Sequence, residues 1–277
     1  MTYPFLKGHG TENDFVLLPD HDGSVHGALS AERVRALCDR RAGIGGDGVL
    51  RVIRSSAASG VEEGALRPSR NHPDAEWFMD YRNADGSFAE MCGNGIRVFA
   101  LHLYGEGLVP ADQPVRIGTR DGVKTVTRED DRFSADLGPA RVLGETKVSV
   151  GDRSWPAVHV DMGNPHAVVM VDDLAEAGRL YDEPSYDEGL YPDGVNIEFV
   201  VRRGVDHLAM RVHERGSGET RSCGTGACAA AVAAAGDGPG RWRVDVPGGG
   251  LEVSRDVAGH VYLTGPALIV AKGTTDL

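Results

Sequence analysis

A two-copy repeat constrains this chain more than any other feature. Cys92-Gly93-Asn94-Gly95 opens one run of mostly apolar residues, and Cys223-Gly224-Thr225-Gly226 opens another. Glycines recur thirteen and fifteen residues after each cysteine: Gly105 and Gly107 in the first copy, Gly236 and Gly238 in the second. Upstream, Met79 and Met210 stand thirteen residues before their cysteines, and Asn83 and Glu214 nine before. Weaker echoes pair Asp47-Gly48-Val49 with Asp193-Gly194-Val195, and Asn13-Asp14-Phe15 with Asn164-Pro165-His166. A unit this long that occurs only twice is no solenoid repeat. Duplication of a domain is the simpler reading, and a chain of 277 residues has room for two domains.

Short β-type runs dominate the rest. Candidate strands are 49–53, 78–82, 115–119, 123–127, 147–150 and 158–162, then 167–171, 195–201, 208–212, 241–246 and 267–270. Helices are few. Ala31, Val34, Leu37 and Cys38 fall on one face of a helix behind a Ser30 cap. Residues 93–104 and 224–235 predict two more, apolar on nearly every face, and such a helix belongs inside a domain. Two of them among so many strands predict an α+β chain in which each domain wraps a sheet around a central helix. The polar, proline-containing stretch 55–75 reads as a mobile surface insertion.

Charge narrows the partners. Lys and Arg number 29 against 41 Asp and Glu, a formal charge of −12, which argues against a nucleic-acid or anionic-membrane partner. The N-terminus carries no secretory pattern, and the longest small-apolar stretch, Ala227 to Ala235, is too short to span a bilayer. The expectation is a cytoplasmic enzyme whose four cysteines, 38, 92, 223 and 228, are reduced thiols.

A cysteine at a helix start sits among unpaired backbone N–H groups at the positive end of the helix dipole, which favours the thiolate and predicts a lowered pKa. The glycines that follow let a carboxylate approach the same N–H groups. If two such helix starts flank one carbon, one thiolate removes its proton while the other thiol protonates the opposite face. That inverts an amino-acid α-centre with no metal and no cofactor. Cys38 and Cys228 read as small core residues. Gly43-Ile44-Gly45-Gly46-Asp47-Gly48 fits a dinucleotide glycine pattern but follows a helix and precedes a strand, the wrong order. His213-Glu214 lacks the second histidine of a zinc-protease motif, and Cys223 and Cys228 have no second ligand pair.

At these residues the chain resembles the diaminopimelate epimerase family, in its actinobacterial-like form. The likeness is carried by Lys7-Gly8-His9-Gly10-Thr11-Glu12-Asn13-Asp14-Phe15, Gly43-Ile44-Gly45-Gly46-Asp47-Gly48, Asn83-Ala84-Asp85-Gly86-Ser87 and Met91-Cys92-Gly93-Asn94-Gly95. It continues through Met162-Gly163-Asn164-Pro165-His166, Gly194-Val195-Asn196, and Glu214-Arg215-Gly216-Ser217-Gly218-Glu219-Thr220 leading into Cys223-Gly224-Thr225-Gly226-Ala227. The resemblance runs from the N-terminus to Leu263-Thr264-Gly265. It implies interconversion of LL- and meso-diaminopimelate, a step toward lysine and peptidoglycan. It implies two domains related by a pseudo-twofold with the active site in the interdomain cleft, and a C-terminal strand that returns to the first domain. The expected division is residues 1–136 with 262–277, carrying Cys92, and residues 137–261, carrying Cys223.

The resemblance also assigns roles. Cys92 and Cys223 are the acid/base thiols, with His166 and Glu214 tuning their ionisation. Gly93, Asn94, Gly224 and Thr225 present N–H groups to the α-carboxylate. Asn13, Asn83, Asn164, Asn196, Glu214 and Arg215 hold the rest of the substrate. Elementary chemistry agrees, since two carboxylates and two ammonium groups demand donors, acceptors and charge. For Asn83 and Asn164 a turn role is equally compatible with the residues alone, and His166 also fits a satisfied core histidine. Many family members carry a substrate-touching glutamine where this chain has Gly48; here that contact is absent, supplied by backbone, or taken by another residue. The expected partner is a small amino-acid substrate, with no nucleic acid or membrane; a homodimer is compatible with all of this. The nearest alternative is a sister racemase acting on proline, hydroxyproline or histidine, which the polar Glu214-Arg215 and asparagine set disfavours. From another class, a non-catalytic amino-acid-binding module would not need both cysteines.

Overall fold

The computed structural model describes residues 2–60, 74–236 and 238–277, and divides into two compact units, Met1–Ala135 with Pro266–Leu277, and Asp136–Gly265. The insertion expected at 55–75 falls largely outside the described residues; its start, Ser55–Gly60, is a short 3-10 helix.

The first unit contains strands β1 (Tyr3–Gly10), β2 (Asn13–Pro19), β3 (Gly48–Arg54), β4 (Trp77–Asn83), β5 (Val115–Thr119) and β6 (Gly122–Glu129), with helices α1 (Ala31–Cys38) and α2 (Gly93–Gly105). β7 (Arg132–Pro139) leads out of it. The second unit holds β8 (Arg141–Val150), β9 (Arg153–Asp161), β10 (Pro165–Met170), β11 (Asn196–Gly204), β12 (His207–Glu214), β13 (Gly218–Thr220), α3 (Gly224–Ala235), β14 (Gly240–Val246), β15 (Gly249–Arg255) and β16 (His260–Pro266). The last strand, β17 (Leu268–Thr275), pairs with β1.

The duplication read from the cysteines extends to the strand pairing. In the first unit β17 is antiparallel to β1, β1 to β2, β2 is parallel to β3, β3 antiparallel to β4, β4 parallel to β5 and β5 antiparallel to β6. In the second, β8, β9, β10, β11, β12, β14 and β15 pair in the same order with the same sequence of senses. The place filled by β8 in one unit is filled by β17 in the other.

Each unit surrounds one apolar helix. α2 packs on β1, β2, β3, β6 and β17, and α3 on β9, β10, β11, β12, β14 and β15. Nearly the whole of α2 is buried, as is α3 from Gly224 to Val232. The alanines of α3 give it little bulk, so strands close in on every side; burying such a face, at about 25 cal/mol per Å², is what holds helix and sheet together. The side chain of Ser30 caps α1, accepting from Arg33 N, and Val34, Leu37 and Cys38 face a core with Val16, Leu18 and Val49. Charge is buried as well: Asp80 on β4 accepts from Arg82 at 2.9 Å and Arg120 at 2.6 Å, and Asp20 from Arg51. Among the described residues, no helix is long and apolar enough to cross a membrane.

Candidate active site

Both repeat cysteines are helix N-caps. Cys92 precedes α2 with φ −139° and ψ 120°, and Cys223 precedes α3 with φ −116° and ψ 115°. Each sulfur accepts from the backbone N–H three residues on, Gly95 N at 3.4 Å and Gly226 N at 3.3 Å. Gly93 and Asn94, and Gly224 and Thr225, form the first helical residues behind them, where no intrahelical carbonyl reaches the N–H groups.

Around Cys92 the partners are amides. Its thiol donates to Asn13 Oδ1 at 3.5 Å, and the same oxygen accepts from Asn94 Nδ2 at 3.1 Å. Asn13 Nδ2 donates to Asp47 Oδ2 at 2.7 Å, which fixes the amide with its oxygen toward the sulfur. Arg40 bridges Asp47 and Asp14, at 2.7 Å to each, and Lys7 pairs with Asp14. Burial works against the Asp14 charge, but hydrogen bonds from Arg40 and Lys7 outweigh it and hold that carboxyl well below the usual range. Burial, reinforced by the Asp14 charge, pushes Asp47 up.

Around Cys223 the surroundings are different. Its sulfur lies 3.5 Å from Thr225 Oγ1, which accepts from Asn164 Nδ2 at 3.4 Å. Asn164 Oδ1 meets His166 Nε2 at 3.0 Å, and His166 Nδ1 meets Glu198 Oε1 at 2.7 Å; the histidine and glutamate are both fully buried. Glu214, at the end of β12, accepts from the Thr220 hydroxyl. The lowered thiol pKa expected at a helix start does not hold here. Burial pushes the Cys223 thiol well up, the charges of Glu214 and Glu198 push the same way, and the Thr225 and Gly226 hydrogen bonds do not offset them.

The other residues singled out in the sequence fall as follows. Asn196 opens β11, accepting from Arg215 N at 3.0 Å and donating to Pro165 O at 3.2 Å; Arg215 itself is exposed, with its guanidinium on Asp193 O. Asn83 closes a turn, with Nδ2 on Ser87 Oγ at 3.0 Å and its backbone N–H on Ser87 O. Gly48 admits no side chain in this backbone: a Cβ there would lie 2.5 Å from Arg82 O and 2.7 Å from the Tyr81 ring. Cys38 is buried in the α1 core, where desolvation pushes its thiol up to about 11, and Cys228 is buried in α3. All four cysteines are free thiols. Among the described residues, no three His, Cys, Asp or Glu side chains gather as a metal cluster would.

Two contributors escaped the sequence reading. Glu198 is the one ionisable residue in the run Val195–Val201, and a lone carboxylate in a buried strand must have a partner, which was the available signal. Asp47 stood in a repeat echo and in a family motif, with no role assigned to it.

The profile of the family described as diaminopimelate epimerase matches residues 5–143 and 158–270. The diaminopimelate epimerase of Streptomyces coelicolor is 54% identical over 98% of this chain and 95% of its own length. That of Thermobifida fusca is 47% identical over 99% of this chain and 98% of its own. Among solved structures, a phenazine biosynthesis protein of the PhzF family from Bacillus anthracis superposes with TM-score 0.68 at 16% identity, covering 100% of both chains. A probable proline racemase from Agrobacterium radiobacter superposes with TM-score 0.64 at 17% identity, over 99% of this chain and 93% of its own. At those identities the structural likeness speaks to fold.

Proposed function

The chain belongs to the diaminopimelate epimerase family, and from that premise we propose that it interconverts LL- and meso-2,6-diaminopimelate by proton transfer between Cys92 and Cys223. The observation that carries the proposal is the matched pair of cysteine N-caps, each at the start of a buried helix in units of the same strand order. In this reading one sulfur, as thiolate, takes the α-proton while the other, as thiol, delivers a proton to the opposite face of the same carbon; the reverse reaction exchanges the roles. Each proton transfer is general acid–base catalysis, worth about 10²–10⁴-fold. N–H groups at Gly93, Asn94, Gly224 and Thr225 hold the α-carboxylate and stabilise the charge that spreads onto it as the proton leaves. Neither transfer calls for a metal or pyridoxal.

Asn13, Asn83, Asn164, Asn196, Glu214 and Arg215 are assigned to the ammonium groups and the distal carboxylate. Support is uneven. Asn13 and Asn164 touch the residues around their cysteines, and Asn196 fixes the backbone of Arg215, whose guanidinium would exchange Asp193 O for a substrate carboxylate. The bonded partner of Asn83 is its own turn, so its assignment rests on the family motif alone. His166 and Glu214 belong to the set that tunes Cys223.

Incubation in D2O with LL-diaminopimelate, L-proline and L-histidine in parallel tests the substrate. Deuterium should appear at Cα of diaminopimelate alone. Exchange confined to proline or histidine would assign the chain to a sister activity, and exchange in none would leave a binding protein.

A further inference from the structure

Cys223 is set into an environment that opposes its ionisation, and one carboxylate there serves no evident structural end. Glu198 projects from β11, fully buried, and meets one polar side chain, His166, at 2.7 Å. Its second oxygen, Oε2, is buried with no hydrogen-bond partner among the described residues. A carboxylate buried on a single contact costs several kcal/mol in desolvation, so its retention asks for a function. Its position supplies one. A Cβ built on Gly226 would stand 2.5 Å from Glu198 Oε1 and 3.2 Å from Cys223 Sγ, so oxygen and sulfur are no farther apart than those two distances together. Any residue but glycine at 226 would displace the carboxylate from the first turn of α3.

We propose that Glu198, anchored by His166, is a positioning residue that holds Cys223 as a thiol by placing a buried negative charge beside the first turn of α3. The inference rests on the reading of Cys223 as an acid/base thiol. His166 keeps that charge in place. Asn164 Nδ2 is committed to Thr225, so Asn164 presents its oxygen to His166 Nε2 while Glu198 faces Nδ1. The ring is thus held at both nitrogens, which fixes the Glu198 carboxylate where it stands. His166 reaches Cys223 through Asn164 and Thr225, and the carboxylate lies against the turn itself. The carboxylate therefore adds to burial and to the Glu214 charge, against the N–H groups and the helix dipole that would favour thiolate. Cys223 so held carries a proton when substrate arrives and is ready to act as the acid.

The other ionisable groups around the pair are few. Glu214 on β12 contributes the larger negative field at the sulfur, His159 on β9 lies near His166, and Tyr191 lies near Glu198. His213 on β12 is bonded to Leu180 O. The charges of β14 and β15 pair with one another, Arg243 with Asp245 and Arg241 with Glu252.

The test compares wild type with Glu198→Gln and Glu198→Asp by the pH dependence of Cys223 alkylation with iodoacetamide, read by peptide mass spectrometry. The Gln variant removes the charge and keeps the shape; its alkylation midpoint should fall by about one pH unit or more, roughly a tenfold faster reaction at pH 8. Asp retains the charge but withdraws it from Gly226, so its midpoint should fall less. Cys38, whose thiol burial raises, stays unmodified at pH 8 as the internal control of folding. In turnover of LL-diaminopimelate, the limb of the kcat–pH profile set by Cys223 should move with the alkylation midpoint, while KM changes less than kcat. Alkylation needs no turnover, so it reports on Glu198 even if diaminopimelate proves not to be the substrate. A midpoint unchanged or raised in the Gln variant overturns the proposal. Should circular dichroism show that variant unfolded, a wild-type midpoint in Glu198→Asp overturns it equally.

Discussion

Cys92 and Cys223 share a backbone conformation and differ in everything around the sulfur. One faces an amide oxygen that Asp47 orients; the other faces a hydroxyl and two carboxylates. An epimerase acting on two stereoisomers has no need of identical thiols, because each direction assigns them opposite duties. Gly48 offers a residue-scale test. Where the family resemblance leads one to expect glutamine, this chain has a position in which even a Cβ meets Arg82 O at 2.5 Å. Gly48→Gln should therefore destabilise the protein by about 1–3 kcal/mol, as overpacking does, and should not improve KM for diaminopimelate. Urea denaturation beside steady-state kinetics checks both halves. A stable variant with tighter substrate binding would show that the backbone yields and that the missing contact was simply lost.

At the scale of elements, the three helices and the strands rich in valine, isoleucine and phenylalanine were legible in the sequence, because period and composition agree there. The strands that escaped have physical reasons. β1 carries Gly8, where a Cβ would come within 2.8 Å of Val98 on α2 and Ile269 on β17, so the glycine that allows close packing also erases the strand signal. β2 is buried over Phe15–Leu18 with no alternation, and β15 opens on glycines. In the site, the cysteines, their helices and Asn13 were legible from the repeat and its motifs. Glu198 and Asp47 were not, since what distinguishes them is a tertiary partner. The β1–β2 turn also hides a local strain: Thr11 and Glu12 have φ of 50° and 62°, the left-handed pair a two-residue hairpin demands but neither residue favours. Glu12 is exposed, so Glu12→Gly should stabilise the protein by about 0.5–1 kcal/mol, the relief of φ strain less the added freedom of the unfolded chain. Thermal unfolding of Glu12→Gly beside Glu12→Ala checks it. Equal melting temperatures would mean that the turn is unstrained.

For the molecule as a whole, stability carries a pH signature. His26 and His102 are buried, their ring nitrogens find no hydrogen-bond partner among the described residues, and desolvation pushes both down to about 4. The unfolded chain binds protons at these positions below about 6.5, and the folded chain does not until about 4. Stability is therefore full above about 6.5 and falls as pH drops through that window. Each pKa unit corresponds to about 1.4 kcal/mol, which bounds the loss at roughly 3 kcal/mol per histidine. The urea midpoint should fall between pH 7 and pH 5, and His102→Leu should flatten the slope; a midpoint independent of pH over that range would contradict the burial argument.

The central claim, a proton exchanged between two thiols at one carbon, is tested most directly by following LL-diaminopimelate in D2O by NMR with wild type, Cys92→Ala and Cys223→Ala. The wild type should yield meso product bearing deuterium at the inverted Cα. Each alanine variant should remain folded and lose inversion by at least about 10²-fold, since a base or an acid is then missing from the pair. Inversion at near the wild-type rate in either variant would contradict the two-thiol account.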